Sequence, residues 1–285
     1  MRKSLIGIGI LSLLFSTSLM SLTSCSMQDK IAIGLECNYA PFNWTSKTES
    51  ENTIKIANKY GQYADGYDIQ IAKILGEELG KEVVIVKTAW ESLIPDLQTR
   101  ALDLVIAGMT ATEERKKSID FSDEYYRSEL VLVTKKEISE GFDHVLGQKE
   151  LNSLINKQII VSQAFTVTDD VIDIFKTEYG AIHAKPVDSF ASAALDIKSG
   201  SAFAMTSELP VAEAIVSANK SLGIVHIDQE ILGDLKGELG VSIGIKKGNS
   251  ELQEAVNKAL AKVSKKQREE MMFEAVKRST SLGEK

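Results

Sequence analysis

The residues most able to do chemistry together lie between Ala107 and Asp123, in the run AGMTATEERKKSIDFSD. An apolar strand, Leu102-Asp103-Leu104-Val105-Ile106-Ala107, leads into Gly108, and Thr110, Thr112, Glu113 and Glu114 then read as the capped start of a helix carrying Arg115. Such a corner suits a carboxylate. Backbone N–H groups at the helix entrance, the Thr110 hydroxyl and the planar donor fork of Arg115 would together meet both oxygens of one anion. The bland alternative is a surface helix whose Glu113, Glu114, Arg115, Lys116 and Lys117 are merely solvated.

Other segments must hold this corner in place. Ile31-Ala32-Ile33-Gly34-Leu35 is a short apolar strand that ends in Glu36-Cys37-Asn38-Tyr39-Ala40-Pro41-Phe42-Asn43-Trp44. Pro41 stiffens that loop, Tyr39 is free to stack on a ligand side chain, and Phe42 is expected to pack beneath. Gly66-Tyr67-Asp68 opens a helix from Ile69 to Leu79, a strand Val83–Val86 follows, and Trp90-Glu91-Ser92-Leu93-Ile94-Pro95-Asp96-Leu97 comes next. In this order and spacing the segments resemble boxes of the family 3 extracellular solute-binding proteins, the polar-amino-acid receptors of ABC importers: G-M-[ST]-x-[ST]-x-E-R, T-Y-x-P-F, G-[FY]-D-x-x-x-A-K and W-x-x-L-I-P-x-L. The resemblance spans nearly all of the chain after residue 24 and weakens in its second half. There Gln158 to Thr166 stands where the family has a strand and a Q-x-G-[ST]-T turn, with Ala164 and Phe165 replacing the Gly and the small polar residue. Ala204 to Ala212 matches the family's D-x-P-V-A, with Glu208 in place of the usual Asp. Ser264 to Ser279 substitutes a charged amphipathic helix for the family's common ending, away from the site.

The resemblance implies a site for a zwitterion. Arg115 with Thr110 and Thr166 would neutralise the α-carboxylate, and Glu208 with the Ala107 carbonyl or the Thr110 hydroxyl would receive the α-ammonium. Gly108 supplies the turn beneath them, while Tyr39 and Trp90 would sandwich the ligand's side chain as two lobes close. Thr166 reads equally well as a helix cap, Glu208 as a solvated residue before Pro210, and Trp90 as core. Glu36 and Asp68 add two carboxylates expected to border the end of the ligand's side chain, so arginine or lysine is favoured, arginine's fork suiting two acids better than lysine's single point. Glutamine, histidine and cystine are the other ligands in view, and Asp68 can also be a helix cap.

Composition sets the frame. Of 285 residues, 44% are hydrophobic and 26% charged, the balance of a soluble globular protein. Arg2 and Lys3 precede an apolar run from Leu5 to Leu22, and Leu22-Thr23-Ser24-Cys25 then fits a bacterial lipobox. Residues 1–24 are read as a lipoprotein signal peptide and 25–29 as a tether lipidated at Cys25, which places the protein on the extracytoplasmic face of the cell membrane. An acyl pair is what stable anchoring requires. The formal net charge of −7 falls to −9 once Arg2 and Lys3 leave, which argues against nucleic acid as a partner. Cys37 is then the one remaining thiol and reads as a small buried residue.

Strands and helices alternate through the remainder, implying an α/β fold of two lobes, each a mostly parallel sheet flanked by helices, joined by a two-strand hinge. This is the periplasmic-binding-protein architecture, with 30–133 as the first part of lobe 1, 134–238 as lobe 2, and 239–285 returning to lobe 1. Ser46 to Tyr63 is a polar insertion. The chain is read as a monomer that needs no cofactor and no metal and that hands a free amino acid to an ABC permease. An enzyme on the same fold, a dehydratase or peptidoglycan lyase, is the main rival, followed by an amino-acid sensor lipoprotein. Against the enzyme, the only histidines are His144, His183 and His226, none inside a site box, and no Ser-His-Asp order, HExxH, CxxC or P-loop occurs.

Overall fold

In this computed structural model, residues 30–164 and 166–280 are described, apart from the side chains of Glu238 and Thr280. The segments read as signal peptide and tether, Cys25 with them, and Phe165 lie outside the described residues. In chain order the elements are β1 (Lys30–Leu35), β2 (Asn38–Tyr39), β3 (Asn43–Ser46), β4 (Ile54–Lys55), β5 (Tyr63–Asp65), α1 (Tyr67–Leu79), β6 (Glu82–Lys87), α2 (Trp90–Thr99), β7 (Leu104–Val105), α3 (Glu113–Ser118) and β8 (Ile119–Arg127). They continue with β9 (Leu130–Lys135), α4 (Lys136–Ser139), α5 (Gln148–Ile155), β10 (Ile159–Val161), α6 (Val167–Tyr179), β11 (Ile182–His183), α7 (Phe190–Ser199), β12 (Ala204–Glu208), α8 (Leu209–Ala218), β13 (Leu222–His226), a 3-10 segment (Gln229–Leu239), β14 (Gly240–Lys246), α9 (Ser250–Ala261) and α10 (Lys265–Thr280).

Two five-stranded mixed sheets, ordered β6-β1-β7-β14-β8 and β11-β10-β12-β9-β13, form the centres of two lobes. In each, four strands run one way and one runs against them: β14 in the first sheet, β9 in the second. The odd strands have one cause. Both are the strands by which the chain enters a sheet after crossing from the other lobe, and because the cleft lies at the C-terminal ends of the parallel strands, a strand entering from the cleft must run backwards. The chain leaves the first sheet with β8 and joins the second with β9, so Leu130–Val133, read from sequence as the end of lobe 1, pair within the second sheet.

Buried strands carry the expected apolar runs. Leu130 to Val133 is fully buried, as suits a central strand covered on both faces. The insertion at 46–63 contributes β4 and leads into β5, forming with β2 and β3 a small antiparallel sheet over the first lobe. Gly66, at φ 134°, ends it and opens α1; a Cβ there would stand 2.2 Å from the Phe42 carbonyl oxygen, so only glycine fits. The last helix, α10, packs on α8 of the second lobe while Arg268 and Arg278 tie it to the first, Arg268 to the Glu124 carbonyl at 2.7 Å and Arg278 to Asp65 at 3.0 Å.

Candidate functional site

A narrow cavity opens at the C-terminal ends of β1, β7, β10 and β12, the usual ligand position in such sheets. It is lined by Glu36, Tyr39, Trp90, Gly108, Thr110, Arg115, Gln163, Thr166, Val167 and Glu208. Eight of the ten residues expected from sequence therefore meet there. Ala107 and Asp68 do not line it: Ala107 is buried just behind Gly108, and Asp68 is enclosed deeper still.

Asp68 is corrected most. It is 0% exposed, and its carboxylate accepts hydrogen bonds from the Tyr125 hydroxyl at 2.7 Å and the Asn43 amide at 2.8 Å. Asn43 in turn accepts from the Cys37 N–H, and Tyr125 accepts from the Gly108 N–H at 3.0 Å. Asp68 is thus the hub that fixes the turn from behind. It is not a helix cap either, since Gly66 occupies the N-cap of α1. Burial pushes its carboxyl up to about 7, although hydrogen bonds from Tyr125, Asn43 and the Gly108 backbone pull the other way. Cys37 is buried as expected, its thiol pushed up to about 12 by burial.

The front of the turn is set by close packing. Gly108 has φ 60°, and a Cβ on it would meet the Tyr39 ring at 2.7 Å, so the ring sits against the bare backbone. Tyr39 does not offer its face to the cavity as expected. Its ring stacks nearly parallel on Phe42 at 5.1 Å and on Phe190 at 5.7 Å, and its hydroxyl points to Glu208. Phe42 packs beneath, as the sequence suggested.

Thr112 caps α3 by accepting from the Arg115 N–H, and the Arg115 guanidinium donates to the Thr110 carbonyl at 2.9 Å. The same guanidinium lies over the Trp90 ring, 5.2 Å from its centroid. Trp90 therefore supports the arginine by a cation–π contact as well as lining the cavity. The reading of 113–117 as a merely solvated helix fails for Arg115 alone: Glu113, Glu114, Lys116 and Lys117 do form exposed pairs with one another.

In the second lobe, Thr166 occupies the N-cap of α6 without capping it. Its hydroxyl donates to the Gln163 carbonyl at 2.9 Å and lies 2.6 Å from the Thr168 hydroxyl. Glu208 ends β12 and is 7% exposed. One carboxylate oxygen accepts from the Tyr39 hydroxyl at 2.8 Å; the other is buried and has no hydrogen-bond partner among the described residues. Burial raises its pKa, with the Tyr39 bond opposing. Glu36 is half-buried and also raised, by burial first and Glu91 second, while Lys87 lowers it. Gln163 and Val167 were not singled out from sequence; Gln163 falls at the unspecified position of the box that Thr166 ends, so the pattern did not mark it. The lining includes no histidine: His144 pairs with Glu150, and His183 stands 3.1 Å from Asp169.

The chain is similar over 91% of its length to the arginine-binding extracellular protein of Bacillus subtilis, at 30% identity and covering 89% of that protein. An ancestral arginine-binding protein solved with arginine matches at 29% identity and a TM-score of 0.64, over 87% of this chain and 99% of that one. A Streptococcus pneumoniae amino acid ABC transporter substrate-binding protein solved with L-arginine shares the fold at a TM-score of 0.70 and 24% identity, over 89% and 97% of the two chains. The model for bacterial extracellular solute-binding proteins, family 3, matches residues 31–274, so this chain belongs to that family.

Proposed function

We propose that the protein captures a free amino acid with a cationic side chain, arginine ahead of lysine, by closing its lobes, and delivers it to an ABC transporter permease. The observation that carries this reading is the pairing of opposite charges on facing walls: Arg115 from the first lobe and Glu208, with one buried oxygen unpartnered among the described residues, from the second. A zwitterion satisfies both. Arg115, Thr110 and Thr166 take its carboxylate, and Glu208 takes its ammonium. Glu36 remains in the wall, its charge disfavoured by burial and by Glu91, and a guanidinium would relieve it. Asp68 gives no direct help, so the preference for arginine rests on Glu36 and on the arginine-binding relatives.

The protein acts as a binding protein rather than an enzyme in this reading, because its two cavity acids are both committed to the ligand's charges. It works outside the cytoplasm as a monomer held by lipid on Cys25 after residues 1–24 are removed. Native mass spectrometry of the purified protein, followed by competition of the twenty amino acids against labelled arginine, tests the ligand. Arginine should compete best, and Glu36→Gln should lower arginine affinity about tenfold while sparing glutamine. Failure of arginine to bind the parent protein would refute the ligand assignment.

A further inference from the structure

Tyr39 stands at the first lobe's rim, and two of its contacts are with the second lobe. Its hydroxyl donates to Glu208 at 2.8 Å, and its ring stacks on Phe190 at 5.7 Å and 17°. On its own side the ring rests on Phe42 and against the bare Gly108 backbone. These contacts hold the ring while its two remaining features, a phenol and a ring face, engage residues that come from elsewhere in the chain: Phe190 opens α7, and Glu208 ends β12.

We propose that Tyr39 is a latch between the lobes and that Glu208 serves two partners at once, the Tyr39 phenol through Oε1 and the ligand's ammonium through Oε2. The second half of this statement rests on the amino-acid reading of the site; the first half does not. A buried phenol needs a partner, and here the partner is on the other lobe, so opening the cleft breaks the bond and stacking together. A buried carboxylate with one hydrogen bond is poorly compensated, and Oε2 has none among the described residues. The phenol therefore satisfies half of Glu208 on closure, and a ligand ammonium satisfies the rest, which couples closure to ligand retention. The length of the side chain matters. An aspartate would withdraw the carboxylate by one methylene and could not keep both partners in place.

The test reads the latch with and without ligand. Spin labels on Lys59→Cys in the first lobe and Glu178→Cys in the second, both exposed positions, report the interlobe distance by pulsed electron resonance. Tyr39→Phe, which keeps the ring and removes only the hydroxyl, should shift the distribution toward longer distances and speed release of bound arginine by about tenfold. Phe190→Ala should act in the same direction, and Glu208→Asp should reproduce the longer distances. Unchanged distances with and without arginine, together with unchanged release, in Tyr39→Phe would overturn the latch. Longer distances in that variant, in a protein whose parent binds no amino acid, would keep the latch and refute the ligand reading instead.

Discussion

The first-lobe wall of the cavity rests on a buried chain of hydrogen bonds running from the Cys37 N–H through Asn43, Asp68 and Tyr125 to the Gly108 N–H. The second-lobe wall has shorter support, the Thr166 hydroxyl on the Gln163 carbonyl and on Thr168, and it presents a carboxylate oxygen with no protein partner among the described residues. One wall is finished without ligand; the other keeps polar capacity for what arrives. The difference assigns them different work. The first wall is a preformed platform for the α-carboxylate, and the second completes the site when it meets the first lobe and the ligand together.

Arg115→Ala tests the platform with the largest expected effect. The guanidinium is oriented by Thr110 and Trp90 rather than by core packing, so the fold should survive its loss. A bound carboxylate left without its countercharge should cost on the order of 3–5 kcal/mol of affinity, effectively abolishing binding in calorimetry. Unchanged affinity would remove Arg115 from the site.

Asp68→Ala separates platform from contact. It touches no ligand in this reading, yet it would strand the Asn43 amide and the Tyr125 hydroxyl in the core, at a cost of roughly 2–4 kcal/mol of stability by denaturant unfolding. Its pH dependence has a defined sign. Between the ordinary carboxyl value of 3.8 and about 7, the unfolded chain has released this proton while the folded protein still holds it. The folded state therefore binds more protons, and the Asp68 contribution to stability is present below 3.8 and is lost as pH rises toward 7. Asp68→Asn should flatten that part of the profile; an identical slope in parent and variant would show that Asp68 ionises normally.

The contrast between the walls also governs what the sequence revealed. Strand, glycine, threonine and arginine of the platform's front lie within one short run, so type and spacing exposed them. The platform's support was hidden because Asp68 meets Asn43 across 25 positions and Tyr125 across 57. Tyr39 and Glu208 are 169 residues apart, and no local pattern indicates that a ring offered to a ligand will instead bridge two lobes. The fold followed the same rule. Alternating strands and helices gave both sheets, whereas the two reversed strands are a consequence of where the chain crosses, and the pairing of Ile54 and Lys55 with β5 is too short to show in a polar insertion.

Thr166→Val is the smallest and sharpest break, because it removes one hydroxyl from the less supported wall at nearly constant volume. The residue stands at the α6 N-cap but does not cap it; its hydroxyl donates to the Gln163 carbonyl and lies 2.6 Å from the Thr168 hydroxyl, and it meets a ligand carboxylate by turning that proton toward the cavity. If the second wall takes its order from the ligand, losing this hydroxyl should weaken amino-acid binding by roughly 0.5–1.5 kcal/mol, a factor of about two to ten, with the thermal midpoint of the ligand-free protein unchanged. If Thr166 instead braces the turn from Gln163 to α6, the midpoint should fall while affinity holds, and the second wall would then be as finished as the first. Calorimetry and thermal unfolding on one preparation distinguish the two, since each outcome moves a different number.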